Sequence, residues 1–426
     1  KSQNNAIYDI TQDMSSDGRM HRLLQGDVGS GKTLVALLCM VQAIENGSQA
    51  AILAPTEILA RQHLSTIEPL AKAAGIKVAI LTSREKGNMR ETVLQGFISG
   101  SIKIAIGTHA IFQEGVEFND LALAVIDEQH RFGVHQRLAL TSKGNAVDVL
   151  VMTATPIPRT LTLTAYGDME ISSLTEKPAG RLPVDTRTIS ISRLDDVIHA
   201  VNRAFVDGKK IYWVCPLIEE SESLDVAAAE ERFAQLKIIF GEHVGLVHGK
   251  MKSKEKDSSM KAFAHGNISI LVATTVIEVG VDVPDATIMV IEHAERFGLS
   301  QLHQLRGRIG RGLEKSICLL LFHNNLTETA RKRLEIMRNT EDGFMIAEED
   351  LHLRGAGEIL GTKQSGIPQF KLADFATHKN LMVTARNDAK LILEIDPTLE
   401  GPRGQNLRIL LYLFERDTAV KFLRSG

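Results

Sequence analysis

Short runs of apolar residues alternate with amphipathic helical stretches from about residue 20 to residue 325. Each apolar run ends in a polar or Gly/Pro-containing loop, which is typical of a parallel sheet covered by helices. The first series of predicted strands is Ala50–Leu53, Val78–Leu81, Ile102–Ile106, Leu123–Ile126 and Val149–Met152. After a Pro/Gly-rich break at 176–183, the second series is Ile211–Val214, Val244–Val247, Ile268–Val272, Thr287–Ile291 and Ser316–Phe322. The pattern predicts two α/β modules in tandem.

A chain of 426 residues is too long for one hydrophobic core and predicts two or three domains. We place them at residues 1–180, 181–335 and 336–426. The last range is set apart because the alternation gives way there to charged helical segments and then to a Gly-rich loop, Arg354–Gly366. No apolar run is long enough to span a bilayer, so no membrane partner is expected.

Charge and cysteine content exclude some site types. The net charge of −3 neither favours nor excludes nucleic acid, so a nucleic-acid partner would need positive charge gathered locally in a groove. Cys39, Cys215 and Cys318 are far apart in apolar runs, and we interpret them as buried thiols rather than zinc ligands. The histidines show no ligand spacing beside Cys or Glu and are interpreted as structural or exposed.

The segment Gly26–Thr33 fits the pattern G-x-x-x-x-G-K-[ST] at every fixed position. An apolar lead-in at Leu23 and Leu24 predicts a strand before it, and Leu34–Ile44 predicts a helix after it. Such a loop directs backbone N–H groups at phosphate oxygens, with the dipole of the helix favouring anions. The loop predicts ATP as ligand, with Lys32 at the β- and γ-phosphates and the Thr33 hydroxyl on Mg²⁺. The predicted nucleotide-binding residues of the loop are Gly26, Asp27, Gly29, Ser30, Gly31, Lys32 and Thr33.

The apolar run Leu121–Ile126 leads directly into Asp127 and Glu128. Two carboxylates at the carboxyl end of a buried strand suit a Mg²⁺–nucleotide site in the same module as the phosphate loop. We predict that Asp127 holds the metal and that Glu128 orients the attacking water and accepts its proton.

A basic cluster lies in the second module within Gln301–Arg311. Arg308 and Arg311 are three positions apart, and we predict that they lie on one face of a helix. Because the second module has no phosphate loop of its own, these arginines are predicted to complete the ATP site across a cleft.

Together, in this order, the motifs resemble those of the superfamily 2 helicases and translocases. The resemblance implies two tandem RecA-like parallel-sheet domains plus a mainly helical C-terminal region. It assigns adenine recognition to Gln3, and further nucleotide contacts to Gly280, Asp282 and Gln304. It assigns DNA-backbone contacts to Thr56, Arg61, Thr108, His109 and Thr275.

More specifically, the chain resembles the RecG family of bacterial replication-fork helicases. The residues that carry this resemblance are Gly26–Thr33, Asp127–Val134, Met152–Thr160, Gly180–Pro183, Ile277–Pro284, Gln301–Arg311, Asp350–Glu358 and Gly361–Gly366. Arg354 and Gln364 match polar positions of a translocation motif that the family shares with transcription-repair coupling factors. The resemblance implies ATP and Mg²⁺ as cofactors, duplex DNA, forks and Holliday junctions as partners, a monomer, and a place in the bacterial cytoplasm at the nucleoid.

One departure from the family concerns the N-terminal wedge domain, an oligonucleotide-binding fold that splits the branch point, to which nothing here corresponds. The chain also begins at Lys1 without Met, so we expect a motor fragment. The alternatives are the motor of a transcription-repair coupling factor and a nucleotide-dependent switch with little hydrolysis. Ser30 and the Gln129–His130 pair favour the RecG family over the first, and Glu128 argues against the second. A primosome-type helicase would require a Cys cluster that the three scattered cysteines do not supply.

Overall fold

The computed structural model of the chain describes residues 1–16, 18–113, 115–128, 147–154, 156, 169–176, 181–216, 222–274, 283–312, 314–354 and 378–414. The chain divides into two compact units. The first comprises Lys1–Pro156 and Ile171–Ala347 and contains both sheets. The second comprises Ile157–Glu170 and Glu348–Gly426.

The first sheet has seven strands in the order β3-β4-β2-β5-β6-β1-β7. Its strands are β1 His21–Gly26, β2 Gln49–Leu53, β3 Val78–Leu81, β4 Ile104–Gly107, β5 Leu121–Asp127, β6 Asp148–Thr153 and β7 Glu170–Leu174. The pairs from β3 through to β1 are parallel, so the loops that follow these strands meet at one edge of the sheet. The helices of this part are α1 Ser2–Met14, α2 Lys32–Glu45, α3 Glu57–Ala73 and α4 Gly87–Ile98.

The second sheet has six strands in the order β10-β11-β9-β12-β13-β8, all paired in parallel. Its strands are β8 Val184–Ser190, β9 Lys210–Val214, β10 Val244–Val247, β11 Ile270–Ala273, β12 Ala286–Ile291 and β13 Ser316–Phe322. The helices are α5 Leu194–Val206, α6 Glu222–Phe240, α7 Ser253–His265 and α8 Leu299–Arg306.

Within the described residues, four further helices follow the second sheet: α9 Glu328–Asn339, α10 Gly343–Arg354, α11 Lys379–Ile395 and α12 Pro402–Leu413. The expected fold class is therefore confirmed, with two parallel-sheet domains of RecA-like type and a helical C-terminal region. None of the helices that the structure describes combines the length and apolarity needed to cross a membrane.

The core of each domain forms where helices cover the fully buried central strands. In the first domain, one face of α2, including Val35 and Met40, packs against Leu24, Ile52 and Ile104 of the strands. In the second, Trp213 of β9 is fully buried. All three cysteines are buried free thiols, as predicted. Burial raises the pKa of the Cys39 thiol to about 12, so this thiol stays protonated and unreactive.

Two edge strands were not predicted from the sequence. Strand β8 lies at the edge of the second sheet and alternates buried with exposed positions at its start, so it lacks the apolar run of a central strand. Strand β7 lies at the edge of the first sheet and contains two serines. The predicted strands at Ile102 and Ile268 begin two residues too early, because the N–H groups of these residues bond to the ends of α4 and α7.

Candidate active site

The phosphate loop joins β1 to α2, as predicted. Gly29 and Gly31 have φ angles of +81° and +88°, in the left-handed region that favours glycine. Gly31 is the N-cap of α2, and a Cβ at this position would lie only 2.2 Å from Gln3 Nε2. The loop therefore requires glycine at Gly31 both for its backbone conformation and for close packing.

The ammonium group of Lys32 lies inside the loop, where it donates hydrogen bonds to the carbonyl oxygens of Gly26 (2.7 Å) and Asp27 (3.0 Å). Burial lowers the pKa of Lys32, while the charges of Asp127, Glu128 and Asp27 act in the opposite direction. This arrangement places a cation at the carboxyl edge of the first sheet, where a phosphate would be bound.

Gln3 lies against the same loop. Its side-chain amide donates a 2.9 Å hydrogen bond to the carbonyl oxygen of Ser30. The structure thus places the residue predicted to recognise adenine beside the phosphate loop, and its role toward the base stays a prediction.

Asp127 and Glu128 stand at the carboxyl end of β5, close to Lys32. Glu128 has a φ of +53°, a left-handed conformation that a non-glycine residue adopts only when its surroundings enforce it. Its N–H bonds to the carbonyl of Met152 at 3.0 Å, and its Oε1 accepts from the N–H of Ala154 at 3.3 Å. The end of β6 therefore holds this carboxylate in place.

Burial and the charge of Asp127 raise the pKa of Glu128 to about 7, although Lys32 and Arg308 lower it. Perturbed carboxylates of this kind are characteristic of catalytic sites, because a base with a pKa near neutrality can accept a proton under physiological conditions.

A cavity of about 150 Å³ lies beside Lys32 and Glu128 and is lined by residues of both domains. From the first domain it is lined by Lys32, Thr33, Asp127 and Glu128, among others. From the second domain it is lined by Gln304, Arg308 and Arg311. The nucleotide-binding motifs of the first domain and the basic cluster of the second domain therefore line the same cavity.

The prediction that Arg308 and Arg311 lie on one helix face is wrong. Helix α8 ends at Arg306, and its C-cap is Gly307. Gly310 has a φ of +70°, which a continuing helix cannot contain. The two arginines therefore reach the cavity from a loop, and the Arg311 Nε donates to the carbonyl of Gly307 at 3.2 Å.

Sequence reasoning missed two histidines and one arginine at this site. His63 of α3 bonds to the Asp127 carboxylate with Nε2 2.8 Å from Oδ2. His303 of α8 bonds to Asp27 of the phosphate loop, with Nε2 2.8 Å from Oδ1. Arg181 donates to the carbonyls of Val28 (2.7 Å) and Ile309 (3.4 Å), and so bridges the phosphate loop and residues 307–311, the loop that carries Arg308 and Arg311 and is called the arginine loop below. The interpretation of the histidines as structural or exposed overlooked both contacts.

The Asp27–His303 contact continues into a buried chain of hydrogen bonds. Arg306 donates from one terminal nitrogen toward His303 Nδ1 (3.1 Å) and from the other to the carbonyls of Met337 (2.6 Å) and Thr340 (3.0 Å). Gly343 lies so close that a Cβ there would come within 2.0 Å of the Asp27 carboxylate. The end of α9 and the start of α10 are therefore in contact with the groups around the phosphate loop.

The residues predicted to contact the DNA backbone take defined places in the first domain. Thr56 is the N-cap of α3, and its hydroxyl accepts from the N–H of Leu59 at 3.4 Å. The Arg61 guanidinium donates to Glu57 (3.0 Å) and Glu85 (2.9 Å).

Two more of these positions follow β4. Thr108 is buried before a short 3₁₀ turn, and His109 in that turn is exposed. The structure leaves the predicted DNA contacts of all four residues untested.

Several predicted positions lie outside the described residues. These are Gln129, His130, Thr275, Gly280, Asp282 and Gln364. For Arg354 the structure describes the backbone at the end of α10 and not the side chain.

The groups present fit a magnesium ion that is held jointly with a nucleotide. Thr33 and Asp127 both line the cavity and offer a hydroxyl and a carboxylate, which are hard oxygen donors. In the described part of the chain no cluster of three or more His, Cys, Asp or Glu side chains could hold a metal. A Mg²⁺ ion that is held with a nucleotide usually takes its other ligands from phosphate oxygens and water.

Comparison with known proteins shows what this chain is similar to. The DEAD/DEAH box helicase family matches residues 1–164, and the helicase conserved C-terminal domain matches residues 191–312. The family described as ATP-dependent DNA helicase RecG, domain 3, C-terminal, matches residues 340–416. Curated proteins named ATP-dependent DNA helicase RecG are 51% identical over 395 residues in Pasteurella multocida (strain Pm70) and 50% identical over 402 residues in Escherichia coli (strain K12). Over the aligned length, the chain is similar to RecG helicases.

The alignments cover 91% and 93% of this chain but only 57% and 58% of these two RecG proteins. The chain thus spans somewhat over half the length of the curated relatives that it matches. A solved structure of RecG bound to a three-way DNA junction superposes with a TM-score of 0.75 at 43% sequence identity. The superposition covers 89% of this chain and 50% of the solved chain.

Proposed function

We propose that this chain is the motor part of a RecG-type enzyme, an ATP-driven translocase and helicase for duplex and branched DNA. In this proposal residues 1–180 and 181–335 are the two motor domains, and residues 336–426 carry the translocation motif. The single observation that carries it is the cavity in which Lys32, Asp127 and Glu128 of one domain meet the arginine loop of the other.

The roles of the residues follow from this geometry. Backbone N–H groups of the phosphate loop and Lys32 would bind the β- and γ-phosphates. Thr33 and Asp127 would hold Mg²⁺, which neutralises phosphate charge and polarises the phosphoryl group when it is bound. Glu128 would orient the water that attacks the γ-phosphorus and accept its proton as the bond to the β-phosphate oxygen breaks.

The arginine loop would make hydrolysis depend on both domains, because it acts on a nucleotide bound by the other domain. Arg308 and Arg311 would neutralise charge on the transferring phosphoryl group, and such an arginine acts only when the cavity is closed around the nucleotide. Because the arginines belong to the second domain and Lys32 to the first, binding and hydrolysis would drive closure and opening of the cleft.

DNA is proposed as the partner on grounds of similarity. The relatives are named DNA helicases, and the solved RecG structure is bound to a three-way DNA junction. Contacts of a RecG-type motor to DNA would be made mostly to phosphate, and so would be insensitive to base sequence and sensitive to salt. The candidate DNA-contacting residues are those predicted from the sequence: Thr56, Arg61, Thr108, His109, Thr275, Arg354 and Gln364. In a bacterial cell such a motor would act on forks and recombination junctions at the nucleoid.

The motor of a transcription-repair coupling factor is a less well supported function. Residues 340–416 match the family described as ATP-dependent DNA helicase RecG, domain 3, C-terminal, a range that contains the shared translocation motif and extends well beyond it.

A triple-helix displacement assay tests movement along duplex DNA. We expect the chain to displace the third strand in an ATP-dependent reaction. Arg354→Ala and Gln364→Ala should reduce displacement several-fold while sparing most ATP hydrolysis, because the translocation motif converts closure of the cleft into movement. Arg193→Ala serves as a control, because this exposed arginine, the N-cap of α5, is paired with Asp196 in the first turn of that helix and does not line the cavity.

Normal displacement by both translocation-motif variants would show that this region does not couple hydrolysis to movement. No displacement by the unmodified chain, under conditions where it hydrolyses ATP, would contradict the translocase function for this chain.

A further inference from the structure

Helix α3 carries a histidine where its packing calls for an apolar residue. The buried positions of this helix are Ala60, His63, Ile67 and Ala71, whose spacing of three and four residues marks one face directed at the sheet. His63 is only 7% exposed, in a row that is otherwise apolar. Burying an imidazole costs free energy unless its polar atoms find partners, so a partner for this side chain is expected.

The partner is the carboxylate of Asp127, with 2.8 Å between His63 Nε2 and Asp127 Oδ2. Because the carboxylate accepts, the imidazole donates through Nε2. Within the described part of the chain, this is the one side-chain hydrogen bond to Asp127. Both side chains line the cavity of the candidate active site, and both are largely buried.

The neighbouring carboxylate is held by a different element. Glu128 Oε1 accepts from the backbone N–H of Ala154 after β6, whereas Asp127 is held from α3. Removal of the His63 donor should therefore release Asp127 and leave the support of Glu128 intact. The two carboxylates can be perturbed separately.

We propose that His63 is a positioning residue that fixes the Asp127 carboxylate for Mg²⁺–nucleotide binding, an inference that rests on the function proposed above. The hydrogen bond on Oδ2 restricts rotation of the carboxylate of Asp127, a residue that lines the cavity, so that Oδ1 would be available to the metal directly or through water. Groups that orient a metal ligand in this way typically contribute about 10- to 100-fold to metal affinity or activity.

The test measures binding rather than turnover. The affinity for the non-hydrolysable analogue AMP-PNP is determined by titration calorimetry in Mg²⁺ and in EDTA, for the unmodified chain and for three variants. His63→Leu fills the same space and removes the donor. His63→Gln keeps an N–H donor at the same distance from Cβ. Ile67→Val, one turn further along the buried face, removes a methylene from the packing and touches neither carboxylate.

We expect His63→Leu to reduce the Mg²⁺-dependent gain in AMP-PNP affinity by about 10- to 100-fold, with the affinity in EDTA unchanged. His63→Gln should recover most of the gain, and Ile67→Val should retain all of it. In an Asp127→Asn background, His63→Leu should have little further effect, because the carboxylate that His63 is proposed to position is already absent.

Three results would overturn the inference. In the first, His63→Leu keeps the same ratio of affinities in Mg²⁺ and EDTA as the unmodified chain. In the second, the affinities in Mg²⁺ and EDTA fall together, as expected for a structural role alone. In the third, the unmodified chain binds AMP-PNP equally well with and without Mg²⁺. Failure of the unmodified chain to bind AMP-PNP at all would instead refute the proposed function.

Discussion

Replacement of Glu128 by glutamine is expected to lower kcat for ATP hydrolysis by about 10²- to 10⁴-fold, the usual contribution of a positioned general base. The amide keeps the size of the side chain and can still accept from the Ala154 N–H, so the fold around it should be retained. An amide cannot accept the proton of the attacking water, so the chemical step should fail. Steady-state hydrolysis measures the loss, and titration with ATP should show binding equal to that of the unmodified chain or tighter.

The matched control for this variant is Glu242→Gln, a carboxylate-to-amide change at an exposed site in the second domain. It should hydrolyse ATP as the unmodified chain does. Turnover by Glu128→Gln within a few-fold of the unmodified chain would remove Glu128 from the role of general base. Loss of ATP binding in that variant would show a structural defect instead.

Arg308→Ala is expected to lower kcat for ATP hydrolysis by about 10³- to 10⁵-fold, the range that an arginine supplied to a transferring phosphoryl group contributes. Arg308 lines the cavity from the second domain and is close enough to Glu128 to lower the pKa of that carboxylate. Nucleotide binding should change much less, because the phosphate loop and Lys32 belong to the other domain. The measurement is kcat at saturating ATP, together with the Kd of AMP-PNP.

Arg203→Ala controls for loss of a positive charge, because Arg203 is exposed on α5 of the same domain. Its kcat should equal that of the unmodified chain. A kcat for Arg308→Ala within ten-fold of the unmodified value would remove Arg308 from the role of neutralising charge on the transferring phosphoryl group.

The sequence predicts the local parts of this structure well. The phosphate loop and the Asp127–Glu128 pair are specified by residues adjacent in the chain, and the apolar runs of central strands mark the sheets. The edge strand β8 has no such run, because one side of an edge strand is solvent-exposed, and it was missed. The helix predicted through Arg308 and Arg311 failed because Gly307 and Gly310 end α8 before the basic residues.

The contacts that organise the site could not be predicted in the same way. His63 and Asp127 are 64 positions apart, and His303 and Asp27 are 276 positions apart. Neither histidine stands in a ligand pattern, and each acquires its partner only when the sheet and the cleft have formed. A histidine among Ala60, Ile67 and Ala71 on an otherwise apolar helix face is the one signal that could have indicated His63.

The proposed function requires that ATP hydrolysis at this site is coupled to DNA. The most direct test is the steady-state rate of ATP hydrolysis by this chain, alone and with single-stranded, duplex or forked DNA, at a stated salt concentration. We expect strong stimulation by duplex or forked DNA, weaker stimulation by single strands, and a decline of the effect as salt rises. Hydrolysis at the same rate with and without every DNA, at low salt, would contradict it.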